Sequence, residues 1–464
     1  MPDMETHRKI KEAAKVELSS IRASVASIES YLARPRFRKL LITLTHASNA
    51  MKRLQKQSGL AFDPLTALHS YADAINDEVK TIESLCDQNG IDLEVIRRVW
   101  EVKRQNKKVV LLLAPFFNET RLRDGYFRRI QAIDEILGEE CLKVYVTPAS
   151  YVLEGESHLL FPDALHLDLQ LDFEDPEEKK LLELIAQMAD LVYYHSVAFV
   201  NSATLGIDTA QILDLHGSVP EELLLQGNPE QAAIEGEKEK LALEKVQYAV
   251  VVSNAMADHL REKYPNTNVR FITLPILDVQ ITETKRYLDP KPYLEGKPFV
   301  AYVGGLQKWQ LIPRMQSLID STNQIYNYQI LVPSPDEFLS YWKEKEIPPI
   351  MISSGGRETV KKICERSHYG LLLREDIVVN RVSCPTKLVE YLALGVVPVL
   401  ISNSIGDFSA LGMRHISLED FESNRLPTEA ERLQIVLDNY ACLEKIIDLY
   451  YKGKNGLQNI LSNV

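Results

Sequence analysis

Short apolar runs alternate with amphipathic stretches along this chain, and the alternation sets its organisation from Lys107 onward. Lys108–Ala114 reads KVVLLLA, an unbroken apolar run bounded by charge and proline, which predicts a strand buried on both faces. The loop Pro115–Asp124 and Gly125 follow it, and Tyr126–Leu137 has helical spacing. Apolar runs at Lys143–Val146, Leu191–His195, Gln211–Leu215 and Ala249–Val252 predict further strands, with Ser253 as the N-cap of a helix and the sheet ending near Ile276. A second series follows the linker Tyr287–Gly296. Its strands are Phe299–Val303, Tyr328–Val332, Pro349–Ser353, Tyr369–Leu373 and Val396–Ile401. Leu306–Ile319 is helical but interrupted by Pro313, and Thr428–Tyr451 is helical. Strands alternating with helices predict an α/β chain with doubly wound parallel sheets.

The first hundred residues read differently. Ala14, Leu18, Ile21, Val25, Ile28 and Leu32 fall on a and d positions of a heptad, which predicts a helical module over residues 1–105. The window Arg34–Lys56 carries seven Lys or Arg and no acid. Two roles fit this module: self-association as a homo-oligomer, or peripheral contact with the inner face of a membrane.

Charge and cysteine usage narrow the class. A formal net charge of -12 argues against nucleic-acid binding, whose footprint is basic. Cys86, Cys141, Cys364, Cys384 and Cys442 form neither a CxxC pair nor a zinc spacing, which predicts a reducing, cytoplasmic setting. There is no apolar signal segment at the start, and no apolar run reaches the roughly 18 residues of a membrane span. No Asp-x-Asp and no HExxH occurs, so the expectation is no metal and no cofactor.

The richest segment is Tyr369–Asp407. Pro385 fits the first position of a helix and Gly395 fits its C-terminal stop. Arg374, Arg381 and Lys387 gather where a strand ends and a helix begins, a place suited to phosphate. Glu390 stands further along that helix, where a carboxylate can accept hydrogen bonds from a ribose diol. Pro385, Lys387, Glu390, Tyr391, Leu392, Ala393, Gly395, Pro398 and Val399 resemble the donor motif of retaining, family-4-like GT-B glycosyltransferases. The resemblance covers Lys107 to Val464. It departs at Val382, where many members carry a second glutamate eight residues before the ribose glutamate; Glu375 or Asn380 then becomes the substitute on the sugar hydroxyls.

The resemblance implies two Rossmann-like domains facing a cleft, one at 106–285 on the acceptor side and one at 286–440 for the nucleotide sugar. A C-terminal helix at 441–464 would cross back. It also implies residue roles. Gly125, in the loop after the first strand, would face the donor diphosphate. Gly305 and Lys308, after the first strand of the second domain, would hold the pyrophosphate. Gly356 would lie at the nucleobase. Arg374, Lys387, Asn380 and Glu390 would complete donor binding. The segment Asp214-Leu-His-Gly217 closes a strand with site-like residues, so His216 is the candidate catalytic histidine, Asp214 its orienting partner, and His195 the second choice. Glu221 and Glu222 read as helix-start acids. The implied activity is sugar transfer from a nucleotide sugar to a glycan or lipid-linked acceptor in polysaccharide or glycoconjugate synthesis. The alternatives are a non-catalytic GT-B partner subunit and a sugar-nucleotide epimerase.

Overall fold

The structure is a computed structural model that describes residues 93–105, 107–118, 121, 125–149, 159–277, 291, 296–340, 342 and 346–464. The heptad, the basic window and most of the helical module lie outside those residues, as do positions 122–124 and most of the linker Tyr287–Gly296. The described chain divides into two compact units. One holds 93–116, 138–193 and 201–210; the other holds 117–118, 121, 125–137, 194–200 and the described residues from 211 to 464.

The first unit contains β1 (Lys108–Leu113), β2 (Cys141–Pro148), β3 (Leu159–Leu160), β4 (His166–Leu171) and β5 (Leu191–Tyr194), ordered β3-β4-β2-β1-β5. β1, β2 and β4 pair in parallel, while the two-residue β3 pairs antiparallel to β4. The apolar run of β1 is buried because both faces of this strand are covered. The helix Leu93–Arg104 buries Val95, Val99 and Val102, spaced by one helical turn, and packs on β1. Lys103 Nζ meets Asp190 Oδ1 at 2.6 Å, and Asp190 Oδ2 accepts from Val109 N at 2.8 Å. The acidic run before the helix Pro176–Met188 starts that helix: Asp175 Oδ1 accepts from Glu178 N at 2.9 Å. β3 and β4 are absent from the sequence expectation, since β3 is too short to register and β4 mixes polar with apolar residues.

The second unit begins with the helix Gly125–Leu137. It continues with the parallel strands β6 (Ala210–Leu215), β7 (Tyr248–Val251) and β8 (Arg270–Thr273). Ser253 caps the helix Asn254–Lys263 as its sequence predicts, accepting from Met256 N at 3.0 Å. A six-stranded sheet follows. Its strands are β9 (Phe299–Val303), β10 (Asn327–Leu331), β11 (Met351–Ser353), β12 (Tyr369–Leu372), β13 (Val397–Leu400) and β14 (Ile416–Ser417), ordered β11-β10-β9-β12-β13-β14 and parallel throughout. Its core joins Val300, Tyr302, Ile330, Leu371 and Val399 from the strands to Met315 and Leu318 from the helix Ile312–Thr322.

Two local expectations change. Pro313 does not interrupt a helix: a 3-10 turn at Lys308–Gln310 and a left-handed Leu311 (φ 51°) come first, and Pro313 then lies in the first turn of Ile312–Thr322. The C-terminal helix is also longer than the periodicity shows, running over 35 residues from Glu429 to Asn463 behind a capping box of Thr428 and Glu431. It packs on β8 and on the helix Gly125–Leu137. Gly453 permits that approach, since a Cβ there would lie 2.3 Å from Thr273 O, and Gln458 Nε2 donates to Ile136 O at 3.1 Å.

Candidate functional site

The donor-motif residues surround the loop after β9. The helix Thr386–Ala393 carries Lys387 and Glu390 one turn apart, both buried. Tyr391 on the same helix is a packing residue. Its ring occupies the space a Cβ at Gly370 would fill, 2.5 Å from Cε2, and its hydroxyl donates toward Leu371 O at 3.3 Å. Lys387 is thereby aimed at Gly304. Its Nζ lies 4.3 Å from the Tyr302 ring centroid and donates to Gln310 Oε1 at 3.0 Å. Gly304 has φ 153°, and a Cβ there would lie 2.4 Å from Lys387 Nζ, so this position requires glycine. The Tyr302 hydroxyl closes the turn by donating to Gly305 O.

Arg374 follows β12 and is 7% exposed. Its Nη1 donates to Ser383 Oγ at 3.2 Å, while its Nε is buried without a partner. Burial pushes the Arg374 guanidinium down to about 10, opposed by Tyr302 and Glu222. Burial first, and then the charge of Arg374, hold the Lys387 ammonium well below its usual value, with Glu390 opposing. The Arg374 charge thus adds to the burial that lowers Lys387. Asn380 completes the group: its Nδ2 donates to Glu375 O at 2.9 Å, and its buried Oδ1 has no partner. Unsatisfied buried donors and acceptors of this kind are costly unless a ligand meets them.

A second group lies at the end of β6. Asp214 is fully buried and is held by Arg129 of the helix Gly125–Leu137, with Nε to Oδ2 at 3.0 Å and Nη2 to Oδ1 at 3.1 Å. Arg129 Nη1 also donates to Leu274 O at 3.1 Å. The carboxylate that the sequence offers for orienting His216 is therefore held by an arginine, and His216 Nδ1 is buried without a partner. His195 Nδ1 stands 3.9 Å from Asp214 Oδ2, beyond hydrogen-bond reach. The His195 and His216 rings lie 4.8 Å apart, with the Tyr126 ring edge-on to both at 5.0 and 5.5 Å. Burial lowers both imidazoles, His195 strongly, so both are neutral near pH 7; the Arg129 charge holds the Asp214 carboxyl down against its burial. His195, Asp214 and His216 place ligating atoms within 4.8 Å of one another. The set does not fit a divalent cation, because Arg129 takes both carboxylate oxygens and fixes a positive charge beside them.

A cavity of about 170 Å³ opens here, lined by Ser196, Val197, Asp214, Leu215, His216, Gly217, Val219 and Glu222. The helix Val219–Gln226 forms one side of it and touches the short helix Val378–Arg381 of the Arg374 loop. Lys308 shares its 3-10 turn with Gln310, the partner of Lys387. Lys308 is exposed on the 3-10 turn and donates to Leu225 O at 2.9 Å, capping the last turn of Val219–Gln226. Gly356 caps the helix Arg357–Arg366 in open space, and Gly125 opens its helix with nothing within 4 Å of a would-be Cβ. Glu221 and Glu222 do stand in a first helical turn, but they differ. Glu221 pairs with Lys263 at 2.7 Å, whereas Glu222 lines the cavity.

Sequence reading missed Arg129, Tyr126, Gln310 and the cavity role of Glu222. Arg129 sits in an ordinary amphipathic helix, and nothing in its local pattern marks the side chain that turns inward.

No family model matches the chain, and no curated protein matches its sequence. Solved structures do resemble it. The trehalose-6-phosphate synthase OtsA shares 11% identity over 76% of this chain and 98% of its own, with a TM-score of 0.52. HepE from Anabaena, in complex with UDP and glucose, shares 10% over 76% and 100%, with a TM-score of 0.52. A UDP-forming trehalose-phosphate synthase from Burkholderia xenovorans, in complex with glucose-6-phosphate, shares 12% over 76% and 99%, again at 0.52. At such identities the likeness is one of fold. The chain has the α/β GT-B fold, with Rossmann-like parallel sheets, that these glycosyltransferases share. Among the described residues no helix is long and apolar enough to cross a membrane.

Proposed function

We propose that the protein is a glycosyltransferase that moves a sugar from a nucleoside-diphosphate donor to a hydroxyl of a glycan or lipid-linked acceptor, with retention of configuration and without a metal. One observation carries this reading. Arg374 and Lys387 are two adjacent buried cations; their side-chain hydrogen-bond partners are the neutral Ser383 Oγ and Gln310 Oε1, and Arg374 Nε has none. Burying an unpaired charge is expensive, and a diphosphate laid against Gly304 would compensate both. The same two charges would offset the negative charge that grows on a leaving diphosphate, the role a metal fills elsewhere. Asn380 Oδ1 and Glu390 supply acceptors for sugar and ribose hydroxyls. The solved structures of the same fold that bind UDP or form it make a uracil nucleotide the first donor to test.

Calorimetric titration with UDP, GDP, dTDP and ADP in the presence of EDTA tests the reading. One nucleoside diphosphate should bind at least tenfold more tightly than its nucleoside, and its sugar conjugate should be hydrolysed or transferred without added Mg²⁺ or Mn²⁺. Failure of all four to bind would refute the proposal. Binding without turnover of any sugar conjugate would favour the non-catalytic subunit.

A further inference from the structure

The cavity beside His216 has a polar character that narrows what can enter it. Among the described residues lining it there is no Lys and no Arg; the polar side chains are Ser196, Asp214, His216 and Glu222. The nearby Arg129 is committed to both oxygens of Asp214 and to Leu274 O, which leaves the pair electrically balanced. Glu222 is fixed in place. It lies so close to Gly217 that a Cβ there would be 2.6 Å from Glu222 Oε1, and the Glu222 amide donates to Ser218 O at 2.9 Å. His216, half-buried with its Nδ1 buried and without a partner, lines the same cavity.

A neutral imidazole offers one donor and one acceptor, and a carboxylate offers acceptors only. A hydroxyl both donates and accepts, so it satisfies either group. A phosphate near pH 7 mainly accepts and needs donors or cations; the lining holds no cation, Arg374 acting on Glu222 from outside it, and Glu222 would repel a phosphate. About 170 Å³ is room for one pyranose ring. We propose that this cavity binds one uncharged, hydroxyl-bearing sugar ring of the acceptor, and that Glu222 sets its preference against phosphorylated sugars. This rests on the glycosyltransferase reading but makes a separate claim about acceptor chemistry. Desolvation lifts the Glu222 carboxyl above the usual range, with the Ser218 backbone N–H, which donates to it, and Arg374 opposing the rise and Glu221 adding to it, consistent with a residue seated away from bulk water.

Saturation-transfer NMR on the full chain tests the claim, with and without saturating UDP, using glucose, galactose, mannose and N-acetylglucosamine and their 6-phosphates. At least one neutral sugar should bind ten times or more tighter than its 6-phosphate. Glu222→Gln, close in shape but uncharged, should shrink that ratio several-fold, and Glu222→Arg should invert it. Gly217→Ala, which displaces Glu222 without a change of charge, should weaken neutral-sugar binding. Tighter binding of a 6-phosphate by the wild type, binding of no sugar in either condition, or a ratio unchanged in Glu222→Gln would overturn the proposal. Loss of the donor reading would show instead as no response to UDP, and the sugar binding would still be read by itself.

Discussion

Arg129 grips Asp214 through two parallel hydrogen bonds of 3.0 and 3.1 Å, although the two lie 85 residues apart in sequence and both are almost completely buried. The pair fixes the end of β6, and with it the backbone that presents His216. Removing one partner of a buried pair strands the other charge, which typically costs about 3–5 kcal/mol. Arg129→Met should lower the unfolding free energy measured by urea titration by that amount, and a second change, Asp214→Asn, should restore much of it. Equal losses that simply add in the double variant would show the pair to be independent.

Arg374 and Lys387 should behave in the opposite way. Each is a buried cation without an ion-pair partner among the described residues, so each costs stability in the free protein. Arg374→Met and Lys387→Met should leave the melting temperature unchanged or raised. Each should weaken nucleoside-diphosphate binding by about 1.5–3 kcal/mol, the range for hydrogen bonds to a charged group. Added UDP should raise the melting temperature of the wild type more than that of either variant. Destabilised variants with full affinity would place these side chains in the core alone.

Glu390 has two ways to act: it can accept from a ribose, or it can support the Lys387 charge, on which it acts electrostatically. Comparing UDP with uridine separates them. If Glu390 holds the ribose, Glu390→Gln should weaken uridine and UDP by the same factor, about tenfold or more. A loss confined to UDP would assign it to Lys387.

Glu221 gives the protein an acid limb. Hydrogen bonds from His259 and Lys263, with the Lys263 charge, outweigh burial and bring its carboxyl from 4.5 in the unfolded chain to about 2. A depressed carboxyl stabilises the fold above the unfolded value and loses that stabilisation as pH falls toward the folded one. The window here is therefore pH 4.5 down to about 2; 1.36 kcal/mol per unit sets an upper bound of about 3 kcal/mol, which solvent screening of this half-buried pair reduces to about 1 kcal/mol. Glu221→Gln should be less stable than the wild type at pH 7 and equal to it near pH 2. A constant difference across that range would mean that the ion pair contributes nothing.

Much of this molecule is written locally. The run at β1, the cap at Ser253 and the boundaries of the helix holding Lys387 and Glu390 follow from the periods of 2 and 3.6 residues and from proline and glycine at element ends. Side chains within one helix turn keep fixed spacing, so Lys387 and Glu390 could be placed together before any packing was known. What neighbours they meet is a different matter. That Lys387 faces Gly304 and Gln310, and that Arg129 reaches Asp214, depends on elements brought together from 77 and 85 residues away in sequence. The same holds for Glu222. Its first-turn position fits an ordinary helix start, and only the fold of β6 and the turn at Gly217 puts it into a cavity. Local sequence constrains dihedral angles and faces; partners across the fold are chosen by packing, which no short window of sequence contains.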